Sequence, residues 1–441
     1  MIQVLRDVKV WGRTEGEQRA DLWFEGGKIL GLDLDLRAER VWTGGGALVV
    51  PGFIDMQARF GEPGYEVRED LRSGLCAAAA GGFVCVVNTP ETEPVLDHAS
   101  LVEALIRKAS ALGGVELCTA AALTLGQEGS QLTDMFALAE IGVRLLSDGR
   151  EMIRDAHLFR RACEYASAVG IVLQGSWCEA RLARDGVMHD GAWATKLGLP
   201  GKPASAEEVA MFRDATLAAD AGCAIFFPKV STARGLEIVR SKRAEGAKLF
   251  MGVTPHHLLL DHSWMKTFST VYKVSPPLRP EEDCQALRDA LCEGTIDCVV
   301  SDHQPWTVAE KELDLLQAPY GYPSLETVWP VLYEQLVCKQ RCSLEQLLAL
   351  FTSGPAKILG RPQPSCSDDA PANFVLLDLD TPRLGEMQER ASKALQHPWS
   401  TQACRGWPMA TFMAGRCVFE RDQYFSLGTE SAVAHASIRS K

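Results

Sequence analysis

Eight short apolar runs, each followed by a stretch of helical pattern, constrain this chain more than any other feature of its sequence. They are Ala47–Met56, Gly82–Asn88, Val115–Ala121, Val143–Asp148, Ile171–Ser176, Ala224–Val230, Lys248–Pro255 and Ile296–His303. Their apolar character is continuous rather than alternating, which suits strands covered on both faces, as in a parallel sheet. The segments between them are helical in pattern, for example HASLVEALIRKASAL from His98 and HLFRRACEYASAVG from His157. Strand and helix alternating eight times predicts an α/β fold closed into a (β/α)8 barrel over residues 51–360. An open doubly wound sheet is disfavoured, because no G-x-G-x-x-G follows the first run.

The flanks have a different texture. Residues 1–50 hold strand-like pieces (VLRDVKVW, ADLWFEGGKILGLDL), and NFVLLDLD and ATFMAGRCVFE repeat that character within 361–428. Two β-rich flanks around a barrel most simply pair with each other, which predicts a small β-sandwich built from both termini. RPQPSCSDDA from Arg361 has the composition of a linker, and 429–441 that of a mobile tail.

A net charge of −12 argues against a nucleic-acid surface. The N-terminal residues lack an apolar segment followed by a small-residue cleavage site, and the longest apolar run, Ala77–Val87, is too short to span a bilayer. A cytoplasmic protein is expected. The fourteen cysteines are scattered, with no C-x2-C pair. Cys85, Cys118, Cys223 and Cys298 lie inside apolar runs, so buried free thiols are expected rather than a disulfide framework. Cys338 and Cys342, four apart, are assigned to helix packing.

In such barrels function lies at the C-terminal ends of the strands. There the sequence carries PGFIDMQARFGEPGYEVREDLRSG from Pro51, AAAAGGFVCVVNTPETEPVLD, GVMHDGAWATKLGLPGKPASAEEVAMFRDATLA, KVSTARGLEIVR, VTPHHLLL, VSPPLR and SDHQPW. In content and order these blocks resemble the dihydroorotases of the long bacterial kind, within the cyclic amidohydrolases. The resemblance implies a barrel with a small β-sandwich from both termini. It also implies the family's chemistry, reversible ring closure of carbamoyl aspartate to dihydroorotate. In that chemistry one or two zinc ions supply the hydroxide, and an aspartate after the eighth strand handles the proton.

Residue by residue, the family's metal positions are altered. The H-x-H after the first strand is Gln57-Ala58-Arg59, and the arginine that grips the substrate carboxylate is Gly61. After the fourth strand, S-D-D-G has become Ser147-Asp148-Gly149, so the ligand position is Gly149 or, with a one-residue shift, Asp148. The histidine after the fifth strand is replaced by Ser176, and that after the sixth by Lys229. Glu91, Ser275 and Trp306 stand where the family has two asparagines and a histidine. Asp302 survives with His303 beside it, as a vestige without a retained catalytic set. Glutamine is a poor ligand, and arginine stays protonated. No zinc or other cofactor is therefore expected. Arg59 or Lys229 is expected to pair with Asp302 in place of the metal's charge.

Other groups have plainer readings. His256 and His257 are expected in the core, and His189 solvated in a loop. Cys178 and Glu179 imitate a dyad but lack a histidine partner. The whole pattern is similar to noncatalytic dihydroorotase-like chains that assemble with the aspartate transcarbamoylase catalytic chain. That implies a structural partner of pyrimidine synthesis, itself a homodimer. The alternative is a divergent amidohydrolase acting on a cyclic amide through a reduced metal site.

Overall fold

Each of the eight runs carries a strand in the computed structural model, which describes residues 1–149, 152–175, 178–385 and 390–421. The barrel strands are, in order, Phe53–Ala58, Phe83–Asn88, Glu116–Thr119, Leu145–Leu146, Val172–Gln174, Ile225–Phe227, Leu249–Val253 and Cys298–Val299. Neighbours pair in parallel. The bridge Ala121↔Leu146 joins the third to the fourth, and Ala58↔His303 closes the eighth onto the first. The fold is a closed (β/α)8 barrel.

Successive strand residues point to opposite faces, so each strand feeds two cores. Ile54, Met56, Cys85, Val87, Phe226 and Val300 belong to one buried cluster inside the barrel, together with Ala356, Ile358 and Leu359. Phe53, Val86, Leu173 and Val253 face the surrounding helices in a larger one. The helix Ser353–Ile358 thereby closes the N-terminal end of the barrel. Its Gly354 permits the approach, since a Cβ there would lie 1.7 Å from the Asp297 carbonyl oxygen.

The first run divides at Gly52. Its first half, Leu48–Pro51, pairs antiparallel with Phe374–Asp378 and parallel with Gln3–Val10. Ala20–Glu25, Lys28–Leu32, Arg40–Thr43, Trp407–Met413 and Arg416–Glu420 complete this sheet. It wraps an apolar core in which the rings of Phe24, Phe374 and Phe412 lie 4.6–5.7 Å apart. The two termini thus build one β-sandwich against the barrel. Cys366, in the segment expected as linker, is buried in that core. The tail 429–441 lies outside the described residues. Among the described residues no helix is long and apolar enough to cross a membrane.

Candidate active site at the barrel mouth

The sixth and eighth strands bring Lys229 and Asp302 together. Lys229 Nζ donates to Asp302 Oδ1 at 2.9 Å, and both side chains are about 1% exposed. Gln304 Nε2 donates to the same oxygen at 2.7 Å. Asp302 adopts a left-handed backbone conformation, φ 50°, three residues past the end of the short eighth strand. Such strain persists where surrounding structure fixes it, and it gathers at functional sites. Of the two cations expected to meet Asp302, Lys229 does so.

Arg59 turns elsewhere. Its Nη2 donates to Glu91 Oε1 at 2.7 Å, joining the ends of the first and second strands. The pair borders a cavity of about 240 Å³ that Gly61, Arg68, Gln127 and Pro305 also line. Gly61 has no room for a side chain: a Cβ would lie 2.3 Å from the Tyr65 carbonyl oxygen and 2.8 Å from that of Glu69. An arginine at this position would require the backbone to move. Trp306 is covered by the Arg68 guanidinium, 4.5 Å from its ring centre.

After the fourth strand, Asp148 accepts from the backbone N–H groups of Leu123 and Thr124, each at 2.8 Å, and from the Thr124 hydroxyl. Burial holds its carboxyl above the ordinary carboxylate range despite these bonds. Gly149 has φ 79°, and a Cβ there would meet Glu91 Oε1 at 2.8 Å. Ser176 lies outside the described residues.

The histidines separate into different roles. His303 Nδ1 accepts from the Ser324 and Leu325 amides at 3.0 and 3.3 Å, and its Nε2 faces Glu69 Oε2 at 3.4 Å. Both ring nitrogens are engaged by the scaffold. His257 is likewise held, between Thr254 Oγ1 and the Pro276 carbonyl. His256 meets the Tyr322 hydroxyl through Nδ1 at 3.1 Å, while its Nε2 has no hydrogen-bond partner among the described residues. Among the described residues, Asp302 Oδ2, Gln57 Oε1 and Gln174 Nε2 are also buried without one. Unsatisfied buried polar atoms are costly, and they mark the strand ends as a polar site rather than a filled core. Burial pushes His256 and His257 well below the ordinary histidine value, so both are neutral.

His189 departs from its expectation. It is half-buried, and its Nδ1 meets Arg279 Nη1 at 3.2 Å. Burial, then the Arg279 charge, lowers it to about 4. Arg279 also donates to Glu207 and Ser231, a buried network that a loop reading of His189 could not reveal. Glu179 serves its helix: its carboxylate accepts from the Leu182 amide at 2.7 Å.

Comparison with known proteins decides the family. The dihydroorotase-like family model matches residues 46–234. The dihydroorotase of Deinococcus radiodurans is 40% identical over 93% of this chain and 98% of its own length. That of Thermus aquaticus is 41% identical over 95% and 99%. The chain belongs to the dihydroorotase family. An L-hydantoinase from Arthrobacter aurescens shares the fold of this dihydroorotase-like chain, with a TM-score of 0.83 at 22% identity over 95% of this chain and 96% of that one. A D-hydantoinase does so with a TM-score of 0.79 at 21% identity, over 97% of each chain.

One expectation is corrected. The replacements at the mouth led to the expectation that this chain holds no metal, with the family's zinc site lost, and that does not stand. Relatives 40 and 41% identical over nearly the whole chain are dihydroorotases, the family whose resemblance implied zinc chemistry. Among the described residues Cys85, Glu116 and Cys118 also bring three ligating atoms within 4.8 Å of one another. At the mouth, the family positions present Asp302 engaged by Lys229 and Gln304, and Asp148 engaged by Thr124 and two amides. The converging donor group lies at the other end of the barrel. A search for closely spaced Cys and His within one segment misses it, because the donors come from two adjacent strands. The available signal was Glu116-Leu117-Cys118: residues two apart share a face of a strand, beside Cys85 on its neighbour.

Proposed function

We propose that this dihydroorotase-like chain serves pyrimidine synthesis without turning over the cyclic amide, as a structural partner of the aspartate transcarbamoylase catalytic chain. The carrying observation is the buried Lys229–Asp302 pair. The family's aspartate after the eighth strand handles the reacting proton, and here one of its oxygens is closed off by an ammonium and an amide. The substrate grip points the same way, since Gly61 cannot accept the arginine the family uses without moving the backbone. An intact barrel with an altered mouth suits a role in assembly, with the chain itself paired as a homodimer.

The second reading is a divergent dihydroorotase that hydrolyses dihydroorotate, or a related cyclic amide, through a reduced metal site. It is favoured by relatives named dihydroorotase at 40 and 41% identity, and by Asp302 Oδ2 and His256 Nε2, buried without a partner among the described residues. The comparisons support this second reading more directly than the first.

Co-expression with the aspartate transcarbamoylase catalytic chain of the same organism tests the assembly role. The two chains should elute together at a size neither reaches alone. Separate elution at micromolar concentration would remove it.

A further inference from the structure

Far from the mouth, the second and third strands place Cys85, Glu116 and Cys118 at the end of the barrel that the helix Ser353–Ile358 closes. The two sulfur atoms lie 3.6 Å apart, and Cys118 Sγ lies 3.7 Å from Glu116 Oε1. A disulfide does not fit. Cys85 stands opposite Glu116, and Cys118 opposite Val87. An offset of two residues across neighbouring strands separates the cysteine Cα atoms by about 8 Å, beyond the roughly 7 Å a disulfide can bridge.

The same spacing fits a shared cation. Two thiolates on one tetrahedral zinc, each at about 2.3 Å, are about 3.8 Å apart, and a thiolate and a carboxylate oxygen about 3.5 Å. A cation already occupies this position. Arg361 donates to Glu116 Oε1 and Oε2 at 2.6 and 2.8 Å, to Cys118 Sγ at 2.9 Å and to Cys85 Sγ at 3.5 Å. Arg361 and Glu116 are a third to two-fifths exposed, and a cavity of about 200 Å³ beside them is lined by Cys118, Arg144 and Leu359. There is a route for a cation to enter and room for the guanidinium to leave.

We infer that Cys85, Glu116 and Cys118 form a site for a thiophilic divalent cation of the zinc class, with water as fourth ligand and Arg361 as the displaceable occupant. Binding releases the thiol protons and swings Arg361 into the cavity or solvent. The site is separate from the mouth and independent of the function proposed above.

Titration of the metal-stripped chain with Cd²⁺ tests it through the thiolate-to-cadmium charge-transfer absorption. The band should saturate near one equivalent and vanish in Cys118→Ser and in Cys85→Ser. Arg361→Gln, which removes the competing charge and keeps every donor, should bind Cd²⁺ at least tenfold more tightly. A band that persists in both cysteine variants would overturn the site. So would an Arg361→Gln affinity equal to or weaker than that of the parent.

Discussion

At the scale of single residues, the buried pair of Lys229 and Asp302 fills the mouth. Two opposite charges removed from water hold each other in place, and removing one leaves the other buried and uncompensated. Lys229→Met should therefore cost about 3–5 kcal/mol of stability, read from urea denaturation. Adding Asp302→Asn to it should recover most of that loss, because the stranded charge is gone. A loss below about 1 kcal/mol in the single variant would mean that the pair is not what fills the mouth. The residue types at these positions were legible in the sequence, as was the need for a cation beside Asp302. Which cation could not be read, because Arg59 and Lys229 differ only in where their strand ends aim them. Glu91, which takes Arg59, follows a different strand, and nothing in one-dimensional spacing links the two.

At the scale of elements, the strand ends and the turns after them decide what the mouth can hold. The turn from Gly61 to Tyr65 folds back so tightly that the Tyr65 amide donates to the Gly61 carbonyl at 2.5 Å. Gly61→Ala would press a methyl group into backbone rather than into a yielding side chain. Overpacking of this kind costs about 1–3 kcal/mol. A drop in the thermal midpoint of Gly61→Ala checks it, and an unchanged midpoint would show that the turn can open to admit a longer side chain. The strands were legible because continuous apolar runs have few other uses in an α/β chain. Their ends were less so: the fourth strand has two residues and the eighth two, and hydrogen bonding stops where the chain turns to place Asp148 and Asp302. The thiol–carboxylate group was hidden for a related reason. Register between strands, which sets Cys85 beside Glu116, is a product of barrel closure and is not encoded within either strand alone.

At the scale of the whole molecule, barrel and sandwich bury several titratable groups whose protonation then bears on stability. Burial lowers His189 to about 4 and His397 to about 3, and holds His256 and His257 well below the ordinary 6.5. A histidine lowered in the folded state favours folding fully above its unfolded value, and that stability is lost as pH falls toward the folded one. Asp55, raised by burial to about 7, works in the opposite sense and loses stability as pH rises from 3.8 toward 7. His262 is lowered with them, while Asp148, Glu208, Asp283 and Glu326 are raised by burial as Asp55 is and oppose them. The prediction therefore belongs to His189 alone: its contribution to stability is lost as pH falls from 6.5 to 4. The difference in denaturation midpoint between the parent and His189→Asn should shift against the parent as pH falls through that window; a difference that stays constant would contradict it. The function proposed above requires that Lys229, paired with Asp302, closes the mouth of this barrel to turnover. The decisive assay follows the purified chain, supplied with zinc, for interconversion of dihydroorotate and carbamoyl aspartate beside its Asp302→Asn variant. Equal rates, indistinguishable from buffer, are predicted; turnover by the parent chain that Asp302→Asn abolishes would contradict the claim and establish a working dihydroorotase.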